Sequence, residues 1–328
     1  MIPTGKGVFL WQVKRVRSGD PRLIAGAAHN ARLTHVLIKV ADGTNSYNIN
    51  NGVDMVPNLV AALRARGIQP WGWQYVYGKN PIAEAKKAIQ RVKQLNLAGF
   101  VVNAEGPFKT KGMDKVAKTY MTELRKELPK LTIGLSSYRY PSYHLDFPFK
   151  AFLDFCDVNM PQVYWMDMNN PGQQLQKSVT EFRALMPNQP IVPTGSVFSH
   201  GSWSVTPEQL TEFFMKARAL KLPGANLWEM ATAREKAIWW RAICDYDWDS
   251  VPPHKEEKVN LPVTTLADPK LNIRSGPGTQ FNIVGSYQFK SSVIIINIVR
   301  KNRGLWGKTD LGWIALRYNG SALTDICS

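Results

Sequence analysis

Three carboxylates close apolar, β-rich runs of this chain, and a fourth lies just beyond one. Asp42 follows Leu37-Ile-Lys-Val-Ala, Glu105 follows Phe100-Val-Val-Asn-Ala, Glu229 follows Asn226-Leu-Trp, and Asp167 lies past Met160-Pro-Gln-Val-Tyr-Trp165. A carboxyl carried by an apolar strand to the edge of a core loses solvation, so its pKa rises and it can hold a proton near neutral pH for a leaving oxygen. Glu105 fits that role best, because Gly106-Pro107 directly after it bends the chain away. We read it as the general acid. Aromatic residues crowd the same run ends: Trp11, Trp71, Trp73, Tyr75, Tyr77, Tyr138, Tyr140, Tyr164, Trp165 and Trp228. Flat C–H faces of sugar rings stack on such side chains, and a few polar groups then orient the ligand. Alternation along a strand sends about half of these aromatics into the core. Tyr75, Tyr138, Tyr164 and Trp228 are the expected ligand-side members. Asn103, Gln162 and Glu229 are the expected polar contacts, with Gln74 and Asn226 as further candidates.

Other chemistries lack their residues. His29, His35, His144, His200 and His254 are dispersed, with neither HxH nor HExxH, and no GxSxG elbow occurs. His200, in the loop Phe198-Ser-His-Gly-Ser-Trp203, is a candidate to line the site. Cys156, Cys244 and Cys327 form no CxxC pair and are expected to be free thiols. Neither a metal nor a cofactor is expected.

The elements that must position these residues follow one pattern: a short apolar run, a loop, then an amphipathic stretch with apolar spacing near 3.6. Strand-like runs cover 7–13, 34–41, 69–77, 99–104, 131–137, 156–164, 189–196 and 224–230. Helical stretches between them include 52–66, 81–96, 113–128, 206–220 and 233–245. Eight such units predict an α/β fold, a closed (β/α)₈ barrel, over residues 1–246. An open doubly wound sheet would carry a Gly-rich phosphate loop after its first strand, and none is present. Residues 247–260, DWDSVPPHKEEKVN, are Pro-rich, charged and aperiodic, as expected of a linker. Over 261–328, short runs at 263–266, 271–274, 283–287, 293–299, 305–309 and 312–314 predict a small all-β barrel.

The 328 residues carry a formal charge of +16. Those from Pro252 onward hold ten Lys+Arg against five Asp+Glu, so that part contributes +5 and the residues before it +11. Basic residues spread over both parts, without a Lys/Arg tract, suit diffuse attraction to an anionic polymer better than a nucleic-acid reader. No apolar stretch is long enough to span a bilayer. The first residues do not read as a signal peptide, and a monomer is expected.

Two resemblances sharpen these expectations. Leu271-Asn-Ile-Arg-Ser-Gly-Pro-Gly278, followed by Trp306-Gly-Lys and Gly312-Trp-Ile314, resembles a bacterial SH3-type domain. That likeness implies binding to cell-wall peptide or polymer, with Tyr287, Trp306 and Trp313 as the aromatic residues of interest. Over roughly the first 240 residues, Leu37-Ile-Lys-Val-Ala-Asp-Gly-Thr44, Phe100-Val-Val-Asn-Ala-Glu-Gly106 and Met160-Pro-Gln-Val-Tyr-Trp165 resemble strand ends of the glycoside hydrolase family 25 lysozymes. They are also similar to those of family 18 and other barrel glycosidases. The likeness implies an enzyme of the lysozyme or endolysin type, phage-encoded or bacterial, that cuts the glycan strand of peptidoglycan as an N-acetylmuramidase or N-acetylglucosaminidase. Its partner would be peptidoglycan or another anionic wall polymer.

The departures matter equally. Gly7-Val-Phe-Leu-Trp-Gln12 lacks the family 25 first-strand Asp, Asn103 stands at the fourth-strand Asp, and Trp228-Glu229 replaces the eighth-strand Asp. Glycosidases place a second carboxylate about 5–5.5 Å from the first when retaining and about 6.5–9.5 Å when inverting. Asp42 is the first candidate for that group and Glu229 the second. Alternatively, the substrate's N-acetyl group attacks the anomeric carbon, with Asn103 and Tyr164 orienting it. Hydrolysis of a chitin-like polymer, and a barrel that holds glycan without cutting it, remain open.

Overall fold

The computed structural model describes residues 1–249, 260–301, 304–319 and 321–325. Cys327 and positions 250–259 of the expected linker lie outside the described residues. Two compact units emerge, Met1–Ser250 and Val251–Ser328.

The first unit is a closed eight-stranded parallel barrel. Its strands are β1 (Gly5–Leu10), β2 (Leu33–Asp42), β3 (Gln69–Val76), β4 (Gly99–Ala104), β5 (Thr132–Tyr138), β6 (Val158–Val163), β7 (Thr194–Ser196) and β8 (Gly224–Trp228). Each pairs with its neighbours in chain order, and β8 closes onto β1. The seventh run is shorter than expected because Pro190 and Pro193 have no N–H to give to a ladder.

Among the described residues nine helices surround the barrel: α1 (Pro21–Asn30), α2 (Val56–Arg64), α3 (Pro81–Leu95), α4 (Met113–Glu127), α5 (Phe149–Leu153), α6 (Pro171–Leu185), α7 (Pro207–Ala219), α8 (Met230–Glu235) and α9 (Ala237–Asp245). Local chemistry sets several starts. Asn80 accepts from the Ala83 N–H ahead of α3, and Thr206 with Gln209 forms a capping box on α7. The expected helix at 233–245 is broken, since Lys236 adopts extended backbone between α8 and α9.

Inside the barrel, Phe9, Leu37, Trp71, Trp73, Val101, Val158, Met160 and Val192 pack into one cluster. Beside it the buried His35 ring pairs through Nε2 with Asn226 Oδ1 at 2.7 Å. Gly7 is required there, because a Cβ would lie 2.0 Å from that nitrogen. Burial pushes the His35 pKa down to about 4, so the ring is neutral in the fold.

The second unit is all antiparallel. β9 (Leu261–Thr264) pairs with β12 (Ser292–Ile295), while β10 (Lys270–Arg274), β11 (Ile283–Gln288), β13 (Asn297–Lys301), β14 (Gly304–Lys308), β15 (Trp313–Tyr318) and β16 (Ser321–Ala322) form a second sheet. The single run expected at 293–299 is split at Ile296 between β12 and β13. Val263, Leu271, Ile273, Val293, Ile295, Ile314 and Leu316 make the core. Trp306 is only 2% exposed and meets Tyr318 edge-on, so of the three aromatic residues of interest this one is buried. Trp313 and Tyr287 stay partly accessible.

Candidate active site

Glu105 sits one residue past β4, where the chain leaves the strand and enters a short turn at Gly106–Lys109. Its Oε1 accepts from Gln162 Nε2 at 2.8 Å and from Asn103 Nδ2 at 3.1 Å. Gln162 Nε2 also reaches Asn103 Oδ1 at 2.9 Å and Ser136 Oγ at 3.3 Å. Period-two alternation explains the convergence: Asn103 and Glu105 share the inner face of β4, and neighbouring strands present Ser136 and Gln162 to it. Three tyrosines complete the surroundings. Burial, then the Glu105 charge, raises Tyr75 to about 12, and the same causes act in the same order on Tyr138 and Tyr164. All three are therefore neutral O–H donors at working pH. Of the site residues expected from the sequence, the fold brings Glu105, Asn103, Gln162, Tyr75, Tyr138 and Tyr164 together.

Asp42 has different company. Its Oδ1 is ion-paired with Lys39 Nζ at 3.0 Å, and the Tyr77 hydroxyl lies 3.4 and 3.5 Å from its two oxygens. In a regular strand, residues three apart point to opposite faces. Here the β2–β3 register slips between Lys39 and Ala41, so Lys39 pairs with Trp73 and Asp42 with Tyr75, and both side chains share the inner face. The Lys39 side chain is 8% exposed against 30% for Asp42. Its ammonium lies 4.3 Å from the Tyr47 ring centroid and 5.0 Å from that of Trp73. Sequence reasoning missed Lys39, since only the bulge reveals its direction.

On the far side, Trp228 packs on Phe9 and Trp73 and stacks with Trp11 at 6.4 Å. Glu229 is 2% exposed, and its carboxylate accepts from the Trp11 and Thr232 N–H groups. Burial raises its pKa against those bonds. That carboxylate caps α8, which corrects its expected role as a sugar contact; the signal was the Thr232 three residues on, the spacing of a capping box. Asp167 faces His200 at 3.6 Å, with both side chains exposed.

The loop after β5 adds residues that sequence reasoning did not select. His144 stacks on Tyr138 with centroids 3.8 Å apart, and Lys109 Nζ lies 2.8 Å from its Nδ1. Burial and then the Lys109 charge lower the His144 pKa, so a neutral ring accepts from the ammonium. Lys109 also lies 4.9 Å from the Tyr138 ring centroid. Cys156 and Cys244 are free, and no group of metal-ligating residues occurs among the described residues.

The fold is similar to that of solved (β/α)₈ barrels. A class V chitinase from Pseudomonas fluorescens superimposes with a TM-score of 0.56 at 10% identity, covering 73% of this chain and 98% of that one. An endo-1,4-β-D-mannanase from Thermotoga petrophila gives 0.55 at 11%, covering 76% and 93%. Active domain 2 of a thermostable chitinase from Pyrococcus furiosus, solved with chito-oligosaccharides, gives 0.53 at 14%, covering 70% and 84%. At such identities the likeness is one of fold. No family model matches the sequence, and no curated protein matches it significantly.

Proposed function

We propose that this chain hydrolyses an N-acetylated glycan, with Glu105 as general acid and bacterial peptidoglycan as substrate. The observation that carries the reading is the company of Glu105: a carboxylate at the barrel mouth, held on one oxygen by two side-chain amides and walled by three protonated tyrosines. Asp42, which the two-carboxylate scheme needs as nucleophile or base, has one oxygen taken by the Lys39 ammonium. Attack by the substrate's own acetamido group fits this pattern, and substrate assistance is a known exception to the two-carboxylate rule.

In that mechanism the Glu105 proton goes to the glycosidic oxygen as the anomeric C–O bond breaks. The acetamido carbonyl oxygen bonds to the anomeric carbon, giving a cyclic oxazolinium ion. Water then attacks that carbon and gives its proton to the Glu105 carboxylate, the C–O bond to the acetamido oxygen breaks, and configuration is retained. Gln162 and Asn103 fix the acid, and Tyr164 and Tyr75 supply neutral donors for the acetamido group. Trp228 and Trp11 offer a ring surface for stacking.

Peptidoglycan is favoured by the charge of +16, which suits anionic walls, and by the SH3-type resemblance of the second unit. In this reading a barrel at 1–246 and a wall-binding domain at 261–328, joined by 247–260, raise local enzyme concentration by tethering. The monomeric lysin, phage-encoded or bacterial and of the family 25 lysozyme type, would act at the cell wall. Chitin is the second reading, favoured by the chitinases among the structural neighbours.

The test compares N-acetylated with chemically de-N-acetylated wall glycan. Substrate assistance predicts loss of turnover on the de-acetylated polymer by about a hundredfold or more. Equal turnover would overturn it.

A further inference from the structure

Beside Tyr138 the barrel carries a groove that the glycan mechanism does not use. His144, stacked on Tyr138, lines a depression of about 440 Å³ together with Phe147, Phe149, Ala151, Asp154 and Leu185. A second depression of about 260 Å³, lined by Phe108, Lys109, Lys111 and Met113, shares Asp114 and Pro148 with the first, so the two adjoin. The larger falls within the range of roughly 300–1,000 Å³ typical of ligand pockets. The floor is apolar, and the walls carry charges of both signs. Among the described residues, Lys111, Lys118, Asp114 and Asp154 have no ion-pair partner. Leu145, at the groove edge, is 89% exposed.

Unpaired charges of both signs around an apolar floor match a short zwitterionic peptide. A neutral polysaccharide would leave those charges without opposite charges to meet, and the aspartates would repel a polyphosphate. We infer that this groove holds the stem peptide of peptidoglycan, carried on the sugar bound next to Glu105. The proposal rests on the glycan-hydrolase reading and adds the feature that separates peptidoglycan from chitin. Tyr138, which feels the Glu105 charge, links the centre to the groove by stacking with His144. A peptide leaving the sugar at that wall enters the groove, where its carboxylates meet Lys111 and Lys118 and its side-chain amine meets Asp114 or Asp154.

The experiment measures reducing-end release by the full chain from intact glycan strands and from the same strands stripped of peptides by an amidase. Release roughly tenfold faster from peptide-bearing strands is expected. The double variant Lys118→Ala, Asp114→Ala, both at exposed positions, should bring that ratio toward one. Equal rates on both substrates with the wild type would overturn the groove while leaving the glycosidase intact. Release from neither would instead count against the glycosidase. The groove then stands or falls on a separate readout, an NMR titration of the Glu105→Gln protein with a free stem tripeptide containing lysine. Shifts clustered at His144, Lys118 and Asp114 support the proposal; shifts elsewhere, or none, refute it.

Discussion

Two acidic residues at the mouth of one barrel, Glu105 and Asp42, have opposite surroundings. Glu105 is met by amides and phenols, all neutral, whereas Asp42 is met by an almost buried ammonium three residues before it. Two neutral amides hold Glu105 through Oε1. The Lys39 ammonium holds Asp42 through Oδ1. The comparison teaches that position at a strand end does not fix a role; the partners do.

The comparison breaks most visibly at Glu105. Glu105→Gln keeps the size and removes the proton, and should lower reducing-end release by about a hundredfold to ten-thousandfold, the scale of a general acid. Next comes a control from deeper in the same barrel, where His35 is titratable but touches no solvent. Its folded pKa of about 4 lies below the ordinary 6.5, so the unfolded chain binds the extra proton. Its contribution to stability is present above about pH 6.5 and is lost as pH falls toward 4, where it amounts to roughly 3 kcal/mol. Denaturant melts from pH 7 to 4 should show that loss, reduced in His35→Gln. Gln162→Ala removes the 2.8 Å donor from Glu105 and should cost about tenfold in rate. Smallest is Asp42→Asn, expected to change the rate by less than about threefold, since its charge already belongs to Lys39. Steady-state kinetics on one N-acetylated glycan resolves the three rate effects.

Much of this was legible in the sequence because it depends on periodicity. Glu105, Asn103, Gln162 and Tyr164 stand at the ends of the apolar runs Phe100–Ala104 and Met160–Val163, and the fold brings those ends together. What escaped depends on departures from periodicity. The bulge after Lys39 turned two residues of opposite expected facing toward one another. Glu229 reads as a strand-end acid until its capping box with Thr232 is seen. Trp306 lies in a domain too small to bury many large rings, yet its burial depends on β13–β15 closing around it, which no local pattern encodes. His144 reaches the site by stacking from an irregular loop, where spacing carries no information.

The most direct measurement is reducing-end release from purified cell walls by the wild type, Glu105→Gln and Asp42→Asn side by side. The account predicts activity in the wild type, near-wild-type activity in Asp42→Asn and a loss of about a hundredfold or more in Glu105→Gln. Equal, severe losses in both variants would show a two-carboxylate enzyme instead, and unchanged release by Glu105→Gln would contradict the assignment of Glu105 as the acid.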